Sequence, residues 1–344
     1  MASSLERSRA RDLGLTFGRY PTGTMNAITD VDGLLVGHVT LIEGDRTRTG
    51  ATVIRPHPGN LYQEKVPAGL AILNGYGKLA GATQVMELGE IETPIVLTNT
   101  LAVGRGIEAT VGWSLAQEGN ERVTSVNAVV GETNDGRLND IRAARPSVAE
   151  IRSAIDTATN GPVTEGAVGA GTGTVSFGFK GGIGTSSRLV GEFSLGVLVQ
   201  SNFGGTLRID GRPLLGEMAD PDGSIMIVAA TDAPLSDRNL RRLAERCFGG
   251  LARTGAALSN GSGDYALAFS THADVRRTPA RRRAVQSIPE LPNELVSPLF
   301  EAAIEATEEA ILNSLCMATD MAGFDAAKGR PSKVAALPLE RLPR

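Results

Sequence analysis

In the stretch DPDGSIMIVAATDAPL a Gly-Ser pair, Gly223-Ser224, stands where turn-forming residues meet an apolar run. Asp220, Pro221, Asp222 and Gly223 have the composition of a turn, and Ser224 opens a segment patterned as a buried strand. A serine so placed can attack the carbonyl that precedes it. The attack needs a distorted backbone free of Cβ clashes, which a preceding glycine permits. It converts the Gly223-Ser224 amide into an ester, and water then splits the chain. The new terminus carries an α-amine on the same residue as the hydroxyl. With a reference pKa of about 7.7–8.0, that amine is a base beside the nucleophile, and no histidine is required. Gly-Ser is also a common dipeptide, present again at Gly261-Ser262, and a plain turn accounts for either pair taken alone.

Three further groups belong to the same chemistry when taken as a set. NGSGD, Asn260 to Asp264, precedes the apolar run YALAFST, so the Ser262 hydroxyl and the Asp264 carboxylate meet at one strand entrance, where such a pair can hold or relay a proton. Asn202 ends the apolar run GVLVQSN, where an amide N–H can face a developing oxyanion. Glu132 follows a buried strand and a glycine in VVGETNDG, a position from which a carboxylate can hold a substrate ammonium. Singly, each of these is also what an ordinary strand-end turn uses.

Other mechanisms lack their residues. Only three histidines are present, and no G-x-S-x-G elbow presents a serine to His38, His57 or His272, which removes the usual serine–histidine triad. H-E-x-x-H and paired C-x-x-C motifs are missing, so no zinc chemistry is indicated. GAGTGT and GGIGTSS do not complete a dinucleotide or P-loop pattern. The two cysteines, Cys247 and Cys316, fall in helix-patterned segments without metal spacing and read as buried free thiols. The chemistry must come from hydroxyls, amides, carboxylates and amines, with no cofactor.

The elements that would position these groups are legible in outline. Strand-like runs start near Leu34, Ala51, Ala68, Pro94, Val126, Phe193, Ser224 and Asp264, several apolar on both alternations, as in sheets covered on both faces. Helical patterns cover Gly106 to Gln117, SVAEIRSAIDTA with a Ser147/Glu150 capping box, Leu240 to Leu251, and PLFEAAIEATEEAILNSL. Forty-two glycines, clustered between Gly161 and Gly223 among β-branched residues, indicate tight turns and close backbone approach. No repeat or low-complexity linker marks a boundary, so the expectation is one α+β domain over 1–344, with two packed sheets flanked by helices. A hydrophobic content of 41% and a net charge of −4 describe a globular protein with no basic excess for nucleic acid or anionic lipid. Without a long apolar run or signal-like start, the chain reads as cytoplasmic.

From about Arg11 to the C-terminus the chain resembles the L-aminopeptidase/D-esterase/amidase family, the DmpA-like S58 peptidases that include the β-peptidyl aminopeptidases. The resemblance is carried in order by NAITDVDGLLVGHVTL, VLTNT, VVGETNDGRLNDI, GAGTGTVSFGFKGGIGTSSR, GVLVQSNFG, GSIMIVAATDAPL, NGSGDYALAFST and ATEEAILN. It implies a four-layer αββα sandwich, Ntn-hydrolase-like with different connectivity, and autocleavage into 1–223 and 224–344, two chains that stay together. It places the cleavage site on Gly223-Ser224, the nucleophile on Ser224, the oxyanion amide on Asn202, the assisting serine and acid on Ser262 and Asp264, and the amine-binding carboxylate on Glu132. Some members have tyrosine where this chain has Asn134, in ETNDG, so a phenol of the substrate pocket is replaced here by an amide.

The function expected is therefore a self-processing N-terminal-serine aminopeptidase or amidase, acting on amides or esters next to a free amino group of small peptides. The resemblance also suggests a homo-oligomer, a tetramer of cleaved protomers. Two rival readings stand beside it: an endo-acting amidase on ω-amino-acid oligomers, and a catalytically silent small-molecule-binding protein of the same fold.

Overall fold

A computed structural model describes residues 6–214 and 222–343. Its elements, in chain order, begin with the hairpin β1 (Leu35–Glu43) and β2 (Thr47–Arg55), then β3 (Val66–Gly75), β4 (Leu79–Ala80), α1 (Ala82–Leu88), β5 (Glu90–Ile91), β6 (Ile95–Asn99), α2 (Val103–Leu115), β7 (Val129–Thr133) and α3 (Val148–Asp156). There follow β8 (Val175–Ser176), β9 (Phe179–Lys180), β10 (Gly182–Val190), β11 (Phe193–Asn202), β12 (Arg208–Ile209) and β13 (Arg212–Pro213). The last are β14 (Ser224–Thr231), α4 (Asp237–Arg253), β15 (Gly263–Ser270), α5 (Ser297–Cys316), β16 (Met321–Asp325) and β17 (Arg330–Val334).

Two mixed sheets face each other. One has the order β1-β2-β6-β7-β4 and the other β10-β11-β14-β15-β3-β5. The alternation along β14 shows why a strand apolar at every position is required there. Ile225, Ile227 and Ala229 point to a core shared with α4 and α5, whereas Met226, Val228 and Ala230 point to the core between the sheets. The first sheet repeats the arrangement: Ile95 and Leu97 of β6 face the inter-sheet core, and Val96 faces outward to Trp113 of α2 and Ile151 of α3. The layers are thus helices, sheet, sheet, helices, the αββα order that the resemblance implies.

The strand and helix patterns read from the sequence are found, including the capping box, in which Ser147 Oγ accepts the Glu150 N–H and Glu150 Oε2 accepts the Ser147 N–H at 2.6 Å. The glycine-rich stretch holds more regular structure than tight turns: residues 182–190 form the full strand β10, paired along its length with β11. Close approach does occur on it. A Cβ on Gly184 would lie 1.9 Å from the carbonyl oxygen of Ala310, so glycine lets α5 settle onto the strand. Asp220 and Pro221, read as part of the turn before Ser224, lie outside the described residues.

Candidate active site

Ser224 is the first residue of β14 and is buried, at 7% exposure. Strand pairing surrounds it. The antiparallel register of β11 sets Asn202 opposite Ser224, and the parallel register of β15 sets Gly263 opposite it on the other side. The Gly263 N–H donates to the carbonyl oxygen of Gly223 at 3.1 Å, so the peptide before Ser224 is held by a sheet bond. A Cβ on Gly223 would stand 2.3 Å from the Asn202 carbonyl oxygen and 2.5 Å from the Phe203 Cα. Only glycine fits there.

Because Gly263 faces Ser224, its neighbours Ser262 and Asp264 flank that position. The Ser262 hydroxyl donates to Asp264 Oδ1 at 2.6 Å, and both side chains are buried. Burial pushes the Asp264 carboxyl above its ordinary value, and the bond from Ser262 offsets part of that rise. Asp264 Oδ2 is buried with no hydrogen-bond partner among the described residues. Asn74, at the end of β3, ties down the turn before β15: its Nδ2 donates to the carbonyls of Ser259 and Asn260, each at 3.0 Å, and to that of Ser262.

The Asn202 amide has a defined orientation. Its Oδ1 accepts the Val175 N–H at 2.9 Å, which leaves Nδ2 as the donor end. Asn202 lines a cavity of about 160 Å³ together with Asn134, Arg137, Val175, Phe203 and Asp222. Asn134 is exposed, and its Oδ1 accepts the Gly136 N–H at 2.9 Å.

Glu132 arrives from the other sheet, on β7. Its neighbour Gly131 packs on the side chain of Met226, two residues beyond Ser224; a Cβ there would meet Met226 Cε at 2.5 Å. The carboxylate is 3% exposed and accepts the Lys78 N–H at 2.9 Å and the Thr100 hydroxyl. The Lys78 ammonium, on a side chain 58% exposed, stands 3.9 Å from Glu132 Oε1. Glu132 and Tyr265 share the space left by Gly77, whose Cβ would lie 3.3 Å from Glu132 Oε1 and 2.9 Å from Tyr265 Cε2. Burial raises the Tyr265 phenol above its ordinary pKa, and the charges of Glu132 and Asp264 raise it further.

Asn74, Lys78, Thr100 and Tyr265 were not among the residues read from sequence. The only local signal was the pair Gly75 and Gly77 in NGYG, since glycines at a strand end mark close approach. The histidines serve elsewhere. Burial lowers the His38 imidazole to about 4, where it bonds Thr52; His57 bonds the Glu64 carbonyl; and His272 accepts the Asp274 N–H. Cys247 and Cys316 are free and buried, their thiols pushed up to about 11 and about 12. No helix among the described residues is long and apolar enough to cross a membrane.

Comparison with known proteins matches residues 26–328 to the model of peptidase family S58. A β-peptidyl aminopeptidase of Sphingosinicella microcystinivorans is 41% identical over 94% of this chain and 89% of its own length. Among solved structures, a β-aminopeptidase of Burkholderia sp. superposes with a TM-score of 0.89 at 39% identity, covering 97% of both chains. The L-aminopeptidase D-Ala-esterase/amidase of Ochrobactrum anthropi, described as a prototype of the serine aminopeptidases with a variant Ntn-hydrolase fold, superposes with a TM-score of 0.86 at 38% identity, covering 97% of this chain and 96% of its own.

Proposed function

Since the chain belongs to peptidase family S58 and is an aminopeptidase of that family, we propose that it cuts itself between Gly223 and Ser224 and then uses Ser224, as a new N-terminus, to hydrolyse amides or esters beside a free amino group. The observation that carries this reading is the register that sets Ser224 between Asn202 and Gly263, with the Ser262–Asp264 hydrogen bond alongside.

In the first reaction the Ser224 Oγ attacks the Gly223 carbonyl carbon, the Gly223–Ser224 amide breaks, and the hydroxyl proton passes to the departing nitrogen. The Gly263 N–H already donates to the oxygen on which negative charge develops. Water then hydrolyses the ester, leaving a Gly223 carboxylate and a Ser224 ammonium. In turnover the deprotonated Ser224 amine takes the proton of its own hydroxyl. Ser262, donating to Asp264, keeps lone pairs free to accept from that amine or hydroxyl. Asn202 Nδ2 supplies a side-chain donor for the oxyanion of the acyl-transfer step.

Glu132 fits recognition of the substrate amine. Its carboxylate already has a cation beside it, the exposed Lys78 ammonium, and a substrate ammonium can take that place with a shorter, charge-assisted bond. The names of the relatives extend the reading to short peptides and aminoacyl amides bearing an α- or β-amine. Association of cleaved protomers into a tetramer is part of the same proposal.

The test is N-terminal sequencing of the purified protein, with Ser224→Ala beside it. The expected result is a second terminus starting Ser-Ile-Met in the parent and a single intact chain in the variant. Cleavage that persists in Ser224→Ala would overturn the reading. Products from free but not N-acetylated peptides would separate an aminopeptidase from an endo-acting amidase, and an uncut, inactive parent would favour a silent binding protein.

A further inference from the structure

The turn at residues 259–262 does more than carry Ser262. The Ser259 hydroxyl donates to Asp222 Oδ1 at 2.7 Å, and Asp222 immediately precedes the Gly223–Ser224 peptide. The Asp222 carboxylate lies over Gly261, where a Cβ would come within 2.5 Å of its carboxyl carbon, so the absence of a side chain at 261 makes its seat. The turn is itself fixed. Asn74 holds three of its carbonyls, the Ser262 N–H donates to the Ser259 carbonyl at 3.1 Å, and the Tyr76 N–H donates to the Ser262 carbonyl at 3.2 Å. The turn and the strand it enters therefore hold the chain just before the scissile peptide and at its carbonyl oxygen. Ser259 holds the residue before it, and the Gly263 N–H holds the carbonyl oxygen.

We infer that Ser259 and Asp222 are positioning residues for self-cleavage: their hydrogen bond fixes the Gly223–Ser224 peptide against the Ser224 hydroxyl, and it ceases to matter once that peptide is cut. The inference rests on the self-processing reading above. Its logic is covalent. Before cleavage Asp222 is tied through two peptide bonds to Ser224, so any freedom at 222 is freedom of the carbonyl under attack, and small displacements of a reacting group cost rate steeply. After cleavage Asp222 belongs to the free C-terminal end of the first fragment. Ser224, Asp264 and Asn202 lie in strands of one sheet, whose pairing does not depend on that end. Self-cleavage and turnover thus share a nucleophile and differ in this clamp.

The distinction predicts a split that a merely structural role would not give. In a pulse-chase of freshly synthesised full chain, Ser259→Ala and Asp222→Ala should each convert to two fragments about 10-fold more slowly than the parent, the loss of one positioning hydrogen bond. Once fully cut, the Ser259→Ala protein, whose altered residue lies outside the cavity lined by Asn202 and Asp222, should hydrolyse a free aminoacyl anilide with parental kcat and KM per N-terminal serine. Ser259→Thr, which keeps a hydroxyl, and Asp222→Asn, which keeps an acceptor oxygen, should restore the parental rate of conversion. Asn74→Ala, which loosens the turn carrying Ser262 as well, should slow conversion and turnover together. Parental conversion in Ser259→Ala, or a matching fall in its kcat after full cleavage, would overturn the clamp. A parent chain that never cuts would instead remove the self-processing reading, and the clamp with it.

Discussion

Ser262 and Asp264, two residues apart at the start of β15, are joined by a 2.6 Å hydrogen bond in which the hydroxyl donates and the buried carboxylate accepts. Ser262 is the residue before β15, and Gly263, between it and Asp264, pairs with Ser224 on the neighbouring strand β14. A hydroxyl oriented by a carboxylate is a proton-handling unit, and a positioned group of this kind contributes about 10²-fold or more to rate. Ser262→Ala and Asp264→Asn should lower kcat of the cut protein by that order while thermal unfolding stays near that of the parent. The pH profile adds a sign. Burial raises the Asp264 carboxyl, so it takes up its proton at a higher pH than an ordinary carboxylate, and activity that needs the anion should fall early on acidification. Steady-state rates across the acidic limb check this, and parental kcat in both variants would take the pair out of the mechanism.

The buried Glu132 carboxylate accepts the Lys78 N–H and the Thr100 hydroxyl. Glu132→Gln retains the shape and an acceptor oxygen but removes the charge that a substrate ammonium would pair with. Cutting at Gly223-Ser224 should proceed, because no external amine takes part. Hydrolysis of free aminoacyl substrates should drop about 10- to 100-fold in kcat/KM, the range for a hydrogen bond to a charged group. An unchanged kcat/KM would assign amine recognition to another group.

The Val175 N–H occupies Asn202 Oδ1, and Asn202 lines the cavity with Val175. Asn202→Asp keeps the acceptor for Val175 and replaces the Nδ2 donor with an anion. It should cost about 10²- to 10³-fold in kcat, the usual loss on removal of one oxyanion donor, with little change in the melting temperature. Parental kcat in this variant would move the oxyanion to other donors.

How much of this was legible beforehand depended on the range of the interaction involved. The strand SIMIVAAT shows its two-faced burial in its own composition, and Ser224, Asn202, Ser262 and Asp264 all stand at strand ends that are visible locally. Residues 182–190 pair with the adjacent β11, yet their glycines and polar side chains hide a buried strand: Arg188 is fully buried against Glu305 and Glu309 of α5, and no local pattern announces an ion pair across more than a hundred residues. Asn74, Lys78 and Thr100 escaped for the same reason. Each serves the site through a partner on another element, by backbone N–H, amide or hydroxyl, and such groups look alike wherever they occur.

Lys180 gives a prediction about stability. Its side chain is fully buried at the end of β9, where Nζ donates to the carbonyls of Gly171 and Gly181 at 2.8 and 2.7 Å. Burial lowers its pKa from 10.5 to about 7, and the charge of Asp135 opposes that shift only in part. Between those two values the unfolded chain binds a proton that the folded chain does not. This contribution is complete above the unfolded pKa and is lost as pH falls through the folded one, so stability rises with pH across the window, by up to about 1.4 kcal/mol per pH unit. Urea unfolding of the uncut Ser224→Ala chain, with and without Lys180→Met, isolates the effect, because the cysteine thiols and other groups titrating there are common to both. The stability difference should grow in favour of Lys180 from about pH 8 to about pH 10. A flat difference would mean that Lys180 keeps its proton in the folded protein, and that the neighbouring carbonyls and Asp135 compensate fully for its burial.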